Sequence, residues 1–312
     1  MNKIDREFYH LIDILKNSTR EQLLFQMKEN FKLIPEEIQR SIEDYFKKFD
    51  YWGKLDFKNN EFEELERKVD SFTNHLDDYI WLYEHLNDYR SKKLLLAIMR
   101  NWYQYDFITL KETMESMYPD YFDLDIVKPD ENEVIVDLGA YIGDTIYSYL
   151  DTYGEENYKR IYCYEITEEV FQYLEANTKK YENIICKRKA VSDKSEKLYI
   201  EESSVDASAN TVKEKGEIYI DAVTLDEDIE DEITMIKMDI EGYEQKALLG
   251  SSRHIREEHP KLLISVYHNH EDIWKIPKMI EEILPGYTFY LRNHGGPIFP
   301  TEITLIAIYE ER

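Results

Sequence analysis

The segment from Val134 to Asp144, which reads VIVDLGAYIGD, constrains the fold of this chain more than any other stretch. It begins with an apolar run typical of a central parallel strand, and a helical-looking run, Thr145 to Leu150, follows it. Gly139 and Gly143 lie in the turn between them. Glycine lets a backbone turn tightly and approach a ligand, and a helix N-terminus offers free N–H groups, so this order predicts a ligand loop in an α/β fold. The spacing is not GxGxxG, which disfavours a dinucleotide.

Two further segments carry a carboxylate at the end of an apolar strand. The segment IYCYEIT, from Ile161 to Thr167, contains Glu165, and the segment MIKMDIEGYE, from Met235 to Glu244, contains Asp239. A single carboxylate can accept both neighbouring hydroxyl groups of a ribose, a feature that NAD enzymes share. Open parallel sheets bind ligands at the carboxyl ends of their strands, so both carboxylates are candidate ligand contacts.

Five motifs, in this order, resemble the FkbM-type family of S-adenosylmethionine (SAM)-dependent methyltransferases: VDLGAYIGDT, YEIT, KAVSD, KMDIEGYE and ISVYH. The resemblance covers roughly Tyr118 to Tyr309 and implies a Rossmann-like class I methyltransferase domain with SAM as cofactor. It further implies a mostly parallel seven-stranded sheet whose last strand, Thr304 to Tyr309, is antiparallel. By residue, it assigns cofactor binding to the following positions: Asp137, Gly139, Tyr141, Gly143, Asp144, Glu165 (as the ribose acid) and Asp239.

The same resemblance directs attention to the residues that could handle the acceptor. His268 follows a predicted strand and is the candidate general base, because a histidine that titrates near neutrality can take a proton from an attacking hydroxyl. Asp239 is the second candidate catalytic residue, and Glu241 and His270 are expected on the substrate side. Tyr121 belongs to a YFD element that in similar proteins packs near the cofactor.

Structural roles for these polar residues remain open. Asp239 and Glu241 can simply cap the helix that begins near Gly242, since acidic residues are favoured at helix N-termini. Asn269 and the acidic residues after it can cap the next helix in the same way. The carboxylates and histidines have no spacing such as HExxH, so the sequence predicts no metal site.

The charge balance limits the partners that this protein can have. Against 39 Lys and Arg residues stand 65 Asp and Glu residues, and the formal net charge of -26 would repel phosphate backbones and anionic membrane surfaces. We therefore expect no nucleic-acid partner. No apolar run approaches the ~20 residues of a membrane-spanning helix, and Cys163 and Cys186 fall within predicted strands as buried thiols. The sequence thus predicts a cytoplasmic protein without a membrane span.

The first third of the chain has apolar residues at helical spacing, as in Phe8, Leu11 and Leu15. Prolines and acidic residues before the first strand predict a boundary near Tyr118. We expect an all-α domain over residues 1–118, serving substrate recognition or homodimer formation, and a methyltransferase domain over residues 119–312. Further helices are predicted over these ranges: Asn60 to Lys68, Asp77 to Leu86, Ser91 to Tyr103 and Ile108 to Met117.

The stretch between Lys197 and Val223 interrupts the strand and helix alternation. The segments KLYIEE and GEIYIDAV predict a hairpin-like pair of strands. The polar segment between them, residues 203–215, predicts a mobile loop that could act as a lid on the substrate side.

These patterns together predict an enzyme that O-methylates a hydroxyl of a sugar, a glycan or another small molecule, as the family resemblance implies. SAM carries an activated methyl group, so the protein must chiefly align the acceptor and exclude water. One alternative is a non-catalytic SAM-binding or glycan-binding module that acts through a partner. Another is an NAD-dependent enzyme, which the glycine spacing disfavours.

Overall fold

A computed structural model describes the chain except for residues 50–51, 131, 202–209, 214, 217 and 311–312. The helices are α1 Lys3–Lys16, α2 Arg20–Leu33, α3 Glu36–Lys48, α4 Glu63–His85, α5 Tyr89–Gln104, α6 Phe107–Lys111, α7 Asp144–Tyr153, α8 Glu168–Thr178, α9 Leu225–Asp228, α10 Glu244–Leu249, α11 Ser252–Glu258 and α12 Asp272–Ile283. The strands are β1 Val134–Leu138, β2 Arg160–Tyr164, β3 Ile184–Lys187, β4 Ala190–Val191, β5 Glu196–Glu201, β6 Thr211–Lys213, β7 Ile218–Val223, β8 Met235–Met238, β9 Lys261–Ser265, β10 Tyr287–Asn293 and β11 Ile303–Tyr309.

The chain forms two compact units, and each draws on several stretches of sequence. The first unit comprises Met1–Glu115, Val266–Lys275 and Tyr290–Ile303. The second unit comprises Ser116–Ser265, Ile276–Phe289 and Thr304–Arg312.

The larger sheet has seven strands in the order β10-β11-β9-β8-β1-β2-β3. Strand β1 pairs in parallel with β2 and β8, the pairs β2–β3 and β8–β9 are also parallel, and β11 runs antiparallel to β9. All residues of β1 and β8 are buried, which explains why these strands are apolar apart from Asp137 and Lys237. The predicted mostly parallel seven-stranded sheet with an antiparallel last strand is therefore confirmed. Because β1 lies between β2 and β8, the order of the strands reverses there, and such a switch point is where open α/β sheets bind ligands.

A smaller sheet has the strand order β4-β7-β5-β6. Strands β5 and β7 are antiparallel, which confirms the predicted hairpin-like pair, and β6 adds to the other edge of β5. One face of this sheet buries Leu198, Ile220 and Ala222, and Ile166 and Tyr243 pack against the same cluster. Most of the predicted lid loop, residues 203–209 and 214, lies outside the described residues.

The helices α1 to α6 make up most of the first unit. The side chains of Asn2 and Thr19 cap α1 and α2, and Phe8 of α1 stacks on Tyr83 of α4 with ring centroids 3.7 Å apart. The expectation of an all-α domain confined to residues 1–118 is not confirmed, because this unit also includes residues 266–275 and 290–303. Those segments are held to the helices by buried polar contacts, such as the hydrogen bond from Arg292 Nη2 to Asp88 at 2.7 Å.

Two details of the elements refine the prediction. The predicted separate helices at 60–68 and 77–86 fall on the two halves of α4, and these halves are separated by a kink at His75, where the backbone is not helical (φ -127°, ψ 21°). The ring of His75 stacks on Trp274 at 4.4 Å, so this contact accompanies the break. The thiols of Cys163 and Cys186 are free and lie opposite each other on β2 and β3, but only Cys163 is fully buried.

Candidate active site

The glycine loop between β1 and α7 is held by the backbone of the neighbouring strands. The N–H groups of Gly139 and Ala140 both donate to the carbonyl oxygen of Tyr164 at 3.0 Å. Gly139 adopts φ 75°, and a β-carbon at this position would lie 1.8 Å from the carbonyl oxygen of Asp239. Gly139 is therefore required by the close approach of the chain after β8. Gly143, with φ 92°, is the residue at which α7 begins.

The charged residue that anchors this loop is Lys237, which the sequence prediction did not single out. Lys237 on β8 lies opposite Asp137 on β1, with Nζ 3.0 Å from Asp137 Oδ1, and it donates to the carbonyl of Gly139 at 2.9 Å. Burial raises the pKa of Asp137 to about 6, although Lys237 opposes this. Burial would lower the pKa of Lys237, but the carboxylates of Asp137 and Asp239 raise it. The pair is thus charged at neutral pH and fixes the loop carbonyl.

Glu165 follows β2 and lies almost fully buried beside the glycine loop. Its Oε1 accepts from the backbone N–H of Thr167 at 2.7 Å. Burial raises the pKa of Glu165, and the nearby backbone N–H groups of Thr167, Ile166 and Tyr141 lower it. Because Gly139 and Ala140 bond to the carbonyl of Tyr164, the residue before Glu165, the structure brings the predicted ribose acid to the predicted cofactor loop. Tyr141 is half-buried with φ 44°, and Asp144 is exposed in the first turn of α7.

Asp239 follows β8 and belongs to a second polar group. Its Oδ2 accepts from the hydroxyl of Tyr121 at 2.8 Å, and that hydroxyl lies 3.2 Å from Oγ of Ser265. Tyr121 has φ 68° and is buried, and its ring faces Nζ of Lys237 at 5.3 Å. The YFD element therefore reaches the end of β8, and the packing of Tyr121 near the cofactor stays a prediction. Ser265 was not predicted, because its proximity arises only from the pairing of β8 with β9.

The turn after β8 leads into α10. Tyr243 precedes this helix and makes no side-chain capping bond, and the backbone N–H of Ile240 donates to Glu244 at 2.9 Å. Glu241 has φ 55°, and its carbonyl accepts from the hydroxyl of Thr211 at 2.9 Å. Capping of α10 by Asp239 or Glu241 stays a prediction.

The polar turn after β9 belongs to the first unit. His268 is buried, and its carbonyl accepts from the indole N–H of Trp52 at 2.7 Å. The turn is closed by Asp272, whose carboxylate accepts from the backbone N–H of Asn269 at 3.0 Å and from its side chain at 2.9 Å. The first residue of α12 thus ties this turn to the helix, and capping of α12 by Asn269 stays a prediction.

His270 lies two residues after His268, and its ring meets that of Trp102 edge to face with centroids 5.1 Å apart. Burial, together with the positive charges of Lys68 and Arg67, lowers the pKa of His270 to about 3. The ring is therefore neutral at physiological pH and can accept a hydrogen bond.

The predicted site residues thus fall into two sets. In the second unit, Asp137, Glu165 and Asp239 lie at the carboxyl ends of β1, β2 and β8 around one loop. His268 and His270 belong to the first unit. The pairing of His268 with Asp239 in catalysis stays a prediction. Within the part of the chain that is described, no helix is both long and apolar enough to cross a membrane.

The fold is supported by the first of three solved structures to which this chain is similar. The crystal structure of the methyltransferase FkbM from Methylobacillus flagellatus KT is 24% identical, with a TM-score of 0.64, and the match covers 77% of this chain. The match spans 62% of that protein's length. An rRNA methylase from Streptococcus thermophilus is 13% identical, with a TM-score of 0.38, over 59% of this chain and 90% of that one. Aeropyrum pernix fibrillarin, in complex with natively bound SAM, is 14% identical, with a TM-score of 0.37, over 57% and 67%.

The family comparison reaches further than these likenesses of fold. No curated protein matches the chain. Residues 137–295 match the family described as the methyltransferase FkbM domain, and this range is half of the chain. It begins at Asp137 and contains the glycine loop, Glu165 and the turn at Asp239, which form the site described above. The chain belongs to the FkbM methyltransferase domain family, which is a family of SAM-dependent methyltransferases.

Proposed function

We propose that the protein transfers the methyl group of SAM to a hydroxyl of a sugar, a glycan or another small molecule. The observation that carries the proposal is the convergence of the glycine loop, Glu165 and Asp239 at the switch point beside β1. When bound there, SAM would supply a sulfonium-activated methyl group. The chain's own task is then to orient the acceptor and exclude water.

The residues at the switch point fit the cofactor. The buried carboxylate of Glu165 suits two adjacent ribose hydroxyls, since a charged acceptor forms strong hydrogen bonds. The backbone from Gly139 to Asp144 would approach the remainder of the molecule. Asp137 pairs with Lys237, so we assign it a positioning role in which it holds Lys237 against the carbonyl of Gly139.

The acceptor would be handled by the predicted catalytic and substrate-side residues. We propose His268 as the general base that takes the hydroxyl proton, and Asp239 as the residue that orients the acceptor or the positive end of the cofactor. The hydroxyl of Tyr121 fixes the Asp239 carboxylate for this task. Glu241 and His270 would contact the acceptor.

The net charge narrows the acceptor class. A chain with a formal charge of -26 repels polyanions at long range, so we propose an uncharged small molecule or glycan and not a nucleic acid.

The test is mass spectrometry after the protein has been incubated with SAM and a panel of sugars, sugar nucleotides, glycans and phenols. We expect a methyl increment on one class of acceptor. We further expect His268→Gln to cut turnover by about a hundredfold while SAM affinity is retained, in the range of lost general-base catalysis. SAM binding without a methylated product from any acceptor would instead favour the non-catalytic binding module. Full turnover in the His268→Gln variant would show that His268 is not the general base, and it would leave the proposed methyl transfer in place.

A further inference from the structure

The first unit contains a cavity walled by aromatic rings, and His270 is the one lining residue to which the proposed chemistry gives a role. Tyr45 stacks on Phe299 with centroids 4.0 Å apart and on Trp52 at 5.3 Å, and Trp102 forms part of the same wall. The empty volume is about 540 Å³, including the opening to solvent. Such a cavity, with flat apolar walls and a few polar groups, is typical of small-molecule sites.

Buried polar atoms line this cavity and lack protein partners. Glu64 is 1% exposed and forms an ion pair with Lys68 through Oε1, while its Oε2 has no hydrogen-bond partner among the described residues. The hydroxyl of Tyr105, on the same cavity, is likewise buried without a partner in the described part of the chain. Buried polar groups are normally hydrogen-bonded, because leaving one unsatisfied costs free energy. A bound ligand with hydroxyl groups would satisfy both.

The charges around the cavity select the kind of ligand. Lys68 neutralises Glu64, and its Nζ already lies 5.9 Å from the ring of Trp102 and 5.8 Å from that of Phe46, where a cationic ligand would otherwise sit. His270, which lines the same cavity, is neutral. The cavity therefore offers no net charge to a cation or an anion. It offers flat apolar surface together with a carboxylate oxygen and a phenol hydroxyl.

A second, more polar cavity of the same unit adjoins the first. It is lined by His268, and it shares Trp52 and His270 with the aromatic cavity. A ligand ring bound in the aromatic cavity would thus lie next to the polar cavity, which contains His268, the proposed base.

We propose that the aromatic cavity binds the pyranose ring of an uncharged sugar, with Glu64 and Tyr105 as partners of its hydroxyl groups. Aliphatic C–H faces of the ring would stack on the aromatic wall, and adjacent hydroxyls would pair with the carboxylate. Its role as the acceptor site rests on the proposed methyl transfer, whereas its binding of sugars does not require that activity.

The experiment titrates the full-length protein, without SAM, with methyl glycosides of glucose, mannose and galactose and with their disaccharides. Binding is followed by tryptophan fluorescence and by saturation-transfer NMR. We expect saturable binding of at least one methyl glycoside, and preference for a disaccharide would identify a glycan end over a free sugar. Tyr105→Phe, which removes only the hydroxyl, should weaken binding roughly tenfold. Glu64→Gln should weaken it at least as much, while Tyr103→Phe, two residues before Tyr105 but outside the cavity lining, should not change it.

The outcomes separate this inference from the proposed function. Phenol serves as a comparison ligand. If none of the glycosides binds, or if phenol binds while they do not, the assignment of the cavity to a sugar is wrong even though SAM still binds in calorimetry. If a glycoside binds equally well to wild type, Tyr105→Phe and Glu64→Gln, the site lies elsewhere. If SAM does not bind but the glycosides do, the methyl-transfer proposal fails and the sugar site stands. Thermal unfolding of each variant shows that the fold is retained.

Discussion

At the residue scale, Glu165 offers the most direct test of the cofactor site. We predict that Glu165→Gln lowers SAM affinity by roughly ten- to hundredfold, because a neutral amide replaces a charged acceptor of hydroxyl protons. Isothermal titration calorimetry measures the dissociation constant of SAM for each variant. Glu169→Gln, an exposed position in the first turn of α8, is the matched control and should bind SAM like the wild type. Unchanged affinity in the folded Glu165→Gln variant would contradict the assignment.

His270 makes a prediction about pH. Its pKa is about 3 in the folded protein and near 6.5 ordinarily, so its neutral ring contributes stability that is complete above pH 6.5 and is lost as the pH falls toward 3. Between pH 3 and pH 6.5 the unfolded chain therefore binds one more proton than the folded chain. The free energy of unfolding of the wild type should therefore fall more steeply than that of His270→Gln, by about 1.4 kcal/mol per pH unit.

Urea unfolding at several pH values from neutral to about 4.5, within the window set by the ordinary histidine pKa, measures this difference. His10→Gln, at an exposed position of α1, serves as control and should follow the wild type. Parallel curves for the wild type and His270→Gln would show that the ring gains its proton equally in both states.

Residues differ in how far the sequence reveals their role. Asp137, Glu165 and Asp239 could be predicted because each follows or ends an apolar strand in a local motif. Lys237 could not, because its partner is set by the register of β1 against β8 and a lysine inside a strand usually indicates exposure. The role of Glu64 could not be predicted either, because its burial depends on aromatic rings from distant parts of the chain.

At the scale of elements, the packing of the glycine loop against the end of β8 can be tested. Gly139→Ala places a methyl group against the carbonyl of Asp239, so the loop or the strand end must move. We predict a loss of about 2 to 3 kcal/mol in unfolding free energy, at the upper end for overpacking, together with weaker SAM binding. Gly296→Ala, where nothing lies within 4 Å of the added carbon, is the control for urea titration. Equal stability of the two variants would argue against this contact.

Elements with strong local signals were predicted well. The apolar runs and the glycine turn indicated β1, α7, β2 and β8, because buried parallel strands need such runs. The prediction placed two helices within α4, since the polar residues around His75 interrupt its apolar periodicity, and the backbone is kinked at that residue. The stacking of His75 on Trp274 at this kink is a contact that a local pattern does not contain.

At the scale of the whole molecule, the division into units depends on long-range contacts. A boundary near Tyr118 follows the change from helices to strands, but residues 266–275 and 290–303 return to the first unit. Arg292 is 4% exposed and pairs with Asp88, and Asn101 donates to the carbonyl of Ile298 at 3.1 Å. Composition and periodicity do not predict that either segment packs with the first unit.

We therefore predict that a chain beginning at Tyr118 does not fold. It would keep Arg292 while lacking Asp88, and the loss of one partner of a buried ion pair costs about 3 to 5 kcal/mol. Circular dichroism and SAM calorimetry on the shortened chain provide the measurement. A soluble, folded fragment that binds SAM like the full chain would contradict the prediction and would show that the second unit is autonomous.

The return of residues 290–303 to the first unit also bears on how the protein is made. Chains leave the ribosome from the N-terminus, and domains generally fold as units while synthesis proceeds. Helices α1 to α6 are translated well before the last segment of their unit, which ends at Ile303. The side chains that contact this segment stay uncovered until Ile303 has left the ribosome, so the nascent chain is open to chaperone binding during that interval.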